Sequence, residues 1–499
     1  MNIYTETKNK LRGVSAVIAL LFVILLLNGA SSAQGQAQKP KGGVELKGRA
    51  PVSKEILQVK LPKAQEATLK NGLRVVLLEN HKVPTVSMQM VVLSGGLSDP
   101  ANQRGLATFT ASLLREGTKT RTSRQIAEQV DALGATLGAN SGLSAFTTNV
   151  STTGLVENLD GMLDIFADVI LNPAFPKEEV EKFKTRQLSQ LQAQRAIPQF
   201  LAAERFQRAI YGEHPGALVS ASAESIRAMT PESLAVFHAQ NFLPNNAILA
   251  IVGDVTMKEI MPKLESEFGS WKAGKAVNTT IASVPKQGAA KIYLIDRPGS
   301  VQTVLQLGAL GIERTSPDYF GMLVMNRIFG GGPSGRLFMN LREDKGYTYG
   351  AYSSFGGSKF PGTILASSEV RTDVTEGAMK EFMYEINRIR NEKVSAADLD
   401  NAKRALIGSF ALSLEQPQAL LQNIITQKLY DLPDDYWDTY PKKVMAVTAD
   451  DVQNTAKKYL DTEHLQVVAV GDASKVRSSL EKYGTVEVFD VEGKSVSIP

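Results

Sequence analysis

Two periods alternate along the chain. In Val86-Ser-Met-Gln-Met-Val-Val92 the apolar residues fall at alternate positions, as in a strand with one buried face, and Val301–Leu307 follows a looser version of the same pattern. Elsewhere the spacing lengthens to three and four, so that Leu106, Phe109, Leu113 and Leu114 line one side of a helix. This reading predicts strands at 67–79 around the turn Asn71-Gly72, and at 85–94, 145–152 and 247–252. Helices are predicted at 104–116, 123–133, 155–170, 176–195 and 231–241. Pro176 suits a first helical turn, and Glu178 and Glu179 behind it favour the positive end of the helix dipole. Short strands mixed with longer amphipathic helices imply an α+β class, with helices layered on a largely antiparallel sheet.

The pattern also repeats. Met229-Thr-Pro-Glu-Ser-Leu234, followed by Ala247-Ile-Leu-Ala-Ile-Val252 and Gly253-Asp254, has a counterpart in Val447-Thr-Ala-Asp-Asp-Val452, Leu465-Gln-Val-Val-Ala-Val470 and Gly471-Asp472. The spacing is 218 residues in both cases, from 229 to 447 and from 253 to 471. The helical pattern at Val180, Phe183 and Leu188 recurs at Leu399, Ala402 and Leu406. Two homologous domains follow, at residues 63–271 and 290–499, joined by a linker at 272–289 that lacks a sustained hydrophobic period.

Ahead of the repeat lies a different kind of segment. Lys8, Lys10 and Arg12 precede the apolar run Val14–Leu27, and Ser31 and Ala33 supply the small residues of a signal-peptidase site, so residues 1–33 are predicted to be a signal peptide. The 14-residue run is shorter than the roughly 20 residues a spanning helix requires, so no stable membrane insertion is expected after processing. Residues 34–62, rich in Gln, Lys, Gly and Pro, are predicted to be a flexible leader. The chain contains no Cys, which removes disulfides, thiolate catalysis and Cys-built metal sites from consideration. An exported chain without Cys fits the periplasm of a Gram-negative-type bacterium. A net charge of only +4 gives no footing for nucleic-acid binding.

The segment Gly105-Leu-Ala-Thr-Phe-Thr-Ala-Ser-Leu-Leu-Arg-Glu-Gly-Thr118 places Thr108, Ala111 and Ser112 together on one helical face. With Gly105-Leu-Ala107, Phe109 and Gly117-Thr118 as anchors, and with the tandem repeat, the chain resembles the pitrilysin/insulinase family of zinc metallopeptidases, the inverzincins. The resemblance implies an H-x-x-E-H motif in this helix and a distal zinc-binding Glu in the helix at 176–195. Here Thr108, Ala111 and Ser112 stand at the motif positions and Gln190 at the distal one. None offers imidazole or carboxylate, so no metal-ligating residue is assigned and no zinc is expected on this chain. His81, His214, His238 and His464 are scattered and unpaired at i+4, and each is expected to be a surface or interface residue.

The second half differs. Phe329-Gly-Gly-Gly-Pro-Ser-Gly-Arg-Leu-Phe338 lacks the Gly-Lys-Ser/Thr ending of a phosphate loop and resembles the family's glycine-rich turn. After it, Arg342 and Tyr349 stand seven apart, as in the family's Arg/Tyr pair, which the resemblance implies contacts substrate beside the scissile bond. A surface ion pair at Arg342 and an ordinary strand aromatic at Tyr349 are the bland alternatives. Zinc positions lost and Arg/Tyr pair kept resemble the non-catalytic subunit of the family's bacterial two-chain members. The expectation is therefore an exported subunit, inactive alone, whose Arg342 and Tyr349 bind peptide substrate and act in trans on a homologous H-x-x-E-H partner that holds the zinc. The alternative is a stand-alone peptide-binding or scaffold protein of the same descent. Genome neighbourhood distinguishes them: an adjacent gene for an exported H-x-x-E-H chain favours the first.

Overall fold

In the computed structural model residues 63–276 and 283–496 are described. The predicted signal peptide and leader lie outside them, as does the middle of the predicted linker. Within this range, no helix is long and apolar enough to cross a membrane.

Each half builds one six-stranded sheet. The first contains β1 (Gln65–Thr68), β2 (Arg74–Glu79), β3 (Thr85–Val92), β4 (Thr136–Ser141), β5 (Thr148–Leu155) and β6 (Ala247–Gly253), in the order β1-β2-β6-β3-β5-β4. The second contains β7 (Lys291–Asp296), β8 (Gln302–Leu310), β9 (Thr348–Gly357), β10 (Pro361–Arg371), β11 (Gln466–Gly471) and β12 (Val486–Phe489), in the order β12-β7-β11-β8-β10-β9. Apart from the outermost β1 and β12, the pairings correspond one for one. The parallel pair β2–β6 matches β7–β11, and the antiparallel series β6-β3-β5-β4 matches β11-β8-β10-β9. This is a two-domain α+β fold. The predicted strand at 67–79 is the hairpin β1–β2, turned at Gly72, whose φ of 92° suits glycine.

The repeated sequence has a local cause. Thr230 and Thr448 each cap a helix, accepting from the backbone N–H of Ser233 and Asp451, whose side chains bond back to the cap N–H. Such a capping box ends one loop and fixes the entry of the next helix. The strands that follow, β6 and β11, are buried along their whole length, as near-continuous apolar runs require when both faces of a sheet are covered.

Six helices matter below: α1 (Leu106–Leu113), α2 (Lys177–Gln194), α3 (Pro198–Tyr211), α4 (Tyr319–Phe329), α5 (Ala396–Ser413) and α6 (Pro417–Leu429). Helices α1 and α2 help cover the inner face of their own sheet, as α4 and α5 do in the second half. The outer faces are covered reciprocally. Helix α3 belongs to the first half, yet Leu201, Phe206 and Ile210 pack on Val304, Val468 and Val470 of the second sheet. Helix α6 belongs to the second half, yet Leu420, Leu421, Ile424 and Ile425 pack on Val76, Leu78, Val91 and Ile248 of the first. Gly308 makes room for this exchange, since a Cβ there would lie 2.7 Å from the Phe206 ring. Each such apolar side chain contributes about 1.5–3 kcal/mol on burial, so the two halves are held by their cores as well as by the chain.

Candidate functional site

Helix α1 starts at Gly105, whose φ of 100° is open to glycine. The Asp99 carboxylate, 5% exposed, accepts from the backbone N–H of Gly105 at 2.7 Å and of Ala107 at 2.8 Å, and so seats the helix. Burial outweighs these bonds and pushes the Asp99 carboxyl up to about 6. Along the motif face, Thr108 is half-buried and its Oγ1 donates to the Ser141 carbonyl at 2.9 Å. Ala111 is wholly buried and Ser112 half-buried. Phe109 meets Phe183 of α2 edge to face, with ring centroids 4.8 Å apart. Gln190 lies two turns beyond Phe183 on the same helical face and is exposed.

These side chains do not fit a zinc ion. One hydroxyl is committed to a carbonyl, the methyl of Ala111 has no lone pair, and the remaining hydroxyl and amide are neutral. Among the described residues no cluster of three His, Cys, Asp or Glu could hold a metal. Of the four histidines expected at a surface or an interface, two are drawn inward, His238 half-buried and His214 packed between the halves 5.1 Å from the Phe360 ring. His238 is stacked on Phe242 at 4.5 Å, and its Nε2 donates to the Ile170 carbonyl at 2.7 Å. Burial lowers its pKa to about 4 and keeps it neutral. His214 is buried, its Nδ1 accepting from the Gly216 N–H at 2.9 Å. His81 pairs with Asp254 at 2.6 Å and His464 with Asp461 at 2.8 Å, both at the surface.

In the second half the glycine-rich turn follows α4 and closes onto β9, the edge strand of its sheet. The Gly330 carbonyl accepts from the Ser353 N–H at 2.8 Å, and a Cβ on Gly330 would stand 2.6 Å from that nitrogen. Only glycine allows this approach. Arg336–Phe338 then begin a short helix that widens over Met339–Asp344 into a π-helical turn, with the Lys345 N–H bonded to the Asn340 carbonyl five residues back at 3.0 Å. Leu337 and Leu341 anchor this segment in the core. Arg342 emerges from it 43% exposed, its guanidinium 5.1 Å from the centre of the Phe338 ring and in contact with Glu343. Phe338 in turn packs on Tyr352 of β9 at 5.5 Å.

Tyr349 stands at an irregularity of the same strand. Thr348 pairs with Val370 and Ala351 with Ser368, so Tyr349 and Gly350 together face the single residue Glu369. Such a bulge re-aims a side chain, and Tyr349 is 91% exposed. Tyr347 is different: half-buried, its ring lies 3.0 Å from where a Cβ on Gly377 would be. Strand β9 carries no charged residue from Thr348 to Gly357. A phenol thus stands on an uncharged, partly unpaired strand edge and a guanidinium on the turn that leads into it, and both groups can donate hydrogen bonds. The sequence did not mark Asp99, whose carboxylate reaches forward six and eight residues outside any cap spacing, or Asn340, which lies within the π-turn.

Comparison with known proteins bears on both halves. Residues 74–219 match the family model described as insulinase, peptidase family M16, and residues 228–406 match the one described as the peptidase M16 inactive domain. A protein named an uncharacterized zinc protease in Rickettsia felis is 28% identical over 78% of this chain and 93% of its own length. One similarly named in Bacillus subtilis is 25% identical over 70% and 84%. A crystal structure described as the peptidase M16 inactive domain from Pseudomonas fluorescens superposes with a TM-score of 0.76 at 27% identity, covering 82% of this chain and 97% of that one. A protease from Helicobacter pylori shares the fold with a TM-score of 0.76 at 20% identity, over 82% and 100%.

Proposed function

We propose, from the premise that this chain belongs to the M16 insulinase family of peptidases, that it is the non-catalytic, substrate-contacting subunit of an exported two-chain zinc metallopeptidase. One observation carries the reading: the motif helix offers no zinc ligand, while Arg342 stands exposed on the π-turn Met339–Asp344 and Tyr349 on the uncharged strand edge that follows it. The partner is a homologous chain with H-x-x-E-H, which holds the zinc, and this chain binds none. The substrates are peptides. Processing after Ala33 delivers the chain to the periplasm. Within the pair, Arg342 and Tyr349 donate to a carbonyl oxygen of the substrate backbone, and those bonds strengthen as the oxygen gains negative charge.

The Arg342–Glu343 contact favours a second reading, a stand-alone peptide-binding scaffold in which this arginine is an ordinary surface ion pair. Reconstitution with the H-x-x-E-H chain separates the two. Arg342→Ala or Tyr349→Phe is expected to leave the complex intact by size-exclusion chromatography and to lower turnover by roughly 10²–10³, the loss of one such donor. Lys345→Ala serves as control. An assembled complex that turns over within about twofold of the unaltered pair, far short of that loss, removes the role assigned to Arg342 and Tyr349.

A further inference from the structure

Beneath Arg342 lies a polar cluster in an otherwise apolar core. Asn340 is 8% exposed, and its Nδ2 donates to both Glu381 Oε2 and Glu385 Oε1 at 2.9 Å. Both carboxylates belong to the helix Thr375–Asn391, whose other inward residues, Met379, Phe382, Ile386 and Ile389, are fully buried. Glu385 itself is 2% exposed. Three further atoms of the cluster, Arg336 Nη1, Asn340 Oδ1 and Glu385 Oε2, are buried without a hydrogen-bond partner, and their residues line one cavity.

The charges are paired, Glu385 Oε2 with the Arg388 guanidinium at 3.6 Å and Glu381 Oε1 with Lys345 Nζ at 3.8 Å, as a carboxylate drawn into a core requires. Here its nearest consequence is directional. Apolar anchors at Leu337 and Leu341 hold the segment against the core but tolerate rotation about the helix axis, whereas a forked amide bonded to two carboxylates does not. The π-turn adds to this, because its wider winding sets Asn340 inward and Arg342, two residues on, outward. We infer that Asn340, held by Glu381 and Glu385, is the positioning residue of Arg342: it fixes the rotation of the turn and thereby the direction in which the guanidinium projects. The inference rests on the role proposed for Arg342 only for its effect on turnover. The mechanical part stands on the contacts alone.

Hydrogen exchange on the isolated full chain tests the mechanical part. Asn340→Ala is expected to speed exchange of the Lys345, Gly346 and Tyr347 amides, which bond back across the turn, by at least about tenfold relative to amides of the helix Thr375–Asn391. Glu385→Gln, whose carboxamide can accept from Asn340 Nδ2 and donate to its Oδ1, is expected to preserve their protection within about twofold. If Asn340→Ala fails to fold, Asn340→Ser answers the same question. Uniform exchange across turn and helix in these variants overturns the inference. In the reconstituted pair, Asn340→Ala is expected to lower kcat with little change in KM, and to add nothing to Arg342→Ala. Additive losses overturn it as well. A pair in which Arg342→Ala has no effect refutes the proposed function and leaves the exchange result to decide the positioning.

Discussion

The two halves share a sheet order and a capping signal, and each lends a helix to the other, yet they have kept different things. In the first, the face that would carry a metal motif presents a hydroxyl bonded to Ser141, a buried methyl and neutral polar groups. In the second, the corresponding investment lies at a sheet edge, where a π-turn and a bulge project Arg342 and Tyr349 outward. The difference teaches that chemistry and scaffold separate cleanly here. The half-buried positions 108 and 112 can change without removing the core side chains Leu106, Phe109 and Leu113 that hold the helix, because the two sets occupy different faces, whereas position 111 is wholly buried and suits a small residue.

The sharpest way to break this comparison is to put the ligands back. Metal analysis of purified protein is expected to find no stoichiometric zinc on the unaltered chain and about one ion on a chain carrying Thr108→His, Ala111→Glu, Ser112→His and Gln190→Glu together. Because Ala111 is wholly buried, the triple replacement that leaves it unchanged is expected to bind metal at least as well and to unfold at higher temperature. A folded triple variant without zinc shows that Gln190 is not the distal position.

Next in size is the reciprocal packing. Phe206→Ala, on the helix lent to the second sheet, is expected to cost about 3–5 kcal/mol, and Ile424→Ala, on the helix lent to the first, about 2–5 kcal/mol. Urea unfolding should show one transition moving in each case. Two separated transitions would mean that the halves unfold independently.

A smaller effect separates the halves by pH. Asp99 has a raised pKa, so the folded chain takes up its proton near 6 and the unfolded chain near 3.8, and its contribution falls as pH rises through about 6. His238 has a lowered pKa, so its contribution is present above about 6.5 and falls as pH drops toward 4. Both lie in the first half, and between about 4 and 6 the two opposite slopes cancel. Asp99→Asn removes one of them, and the variant is expected to lose about 1.4 kcal/mol more per unit of acidification than the unaltered chain in that window. Parallel stability curves would show that Asp99 does not titrate there. The smallest expected effect is on the isolated chain's stability in Arg342→Ala, about 0–1 kcal/mol for an exposed pair, since Arg342 stands at the surface rather than in the core.

Much of the fold was legible because it is periodic. The strands at 85–92 and 247–253 and the helices at 123–132, 177–194 and 231–241 stand within a few residues of where the hydrophobic pattern put them. Strand β4 was not seen, because Thr-Leu-Gly-Ala-Asn-Ser carries neither alternation nor a β-branched core. Helix α3 was missed as well, and even its repeat mate α6, opening on Pro417 as α3 opens on Pro198, does not say which sheet an amphipathic face will cover. At the site, identities could be read and environments could not. Tyr347 and Tyr349 are alike in sequence, and only packing against Gly377 on one side and a bulge on the other separates a half-buried ring from a free one.

The exchanged helices also bear on how such a chain can be shortened by descent. A gene cut near residue 280 would encode a first product that keeps α3 but loses α6, so the outer face of its own sheet, with Val76, Leu78, Val91 and Ile248, would be bare to water. The second product would expose Val304, Val468 and Val470 in the same way. Faces of that kind drive aggregation. The first half therefore serves its neighbour as a cover whatever chemistry it carries, and deleting it would bare the second sheet.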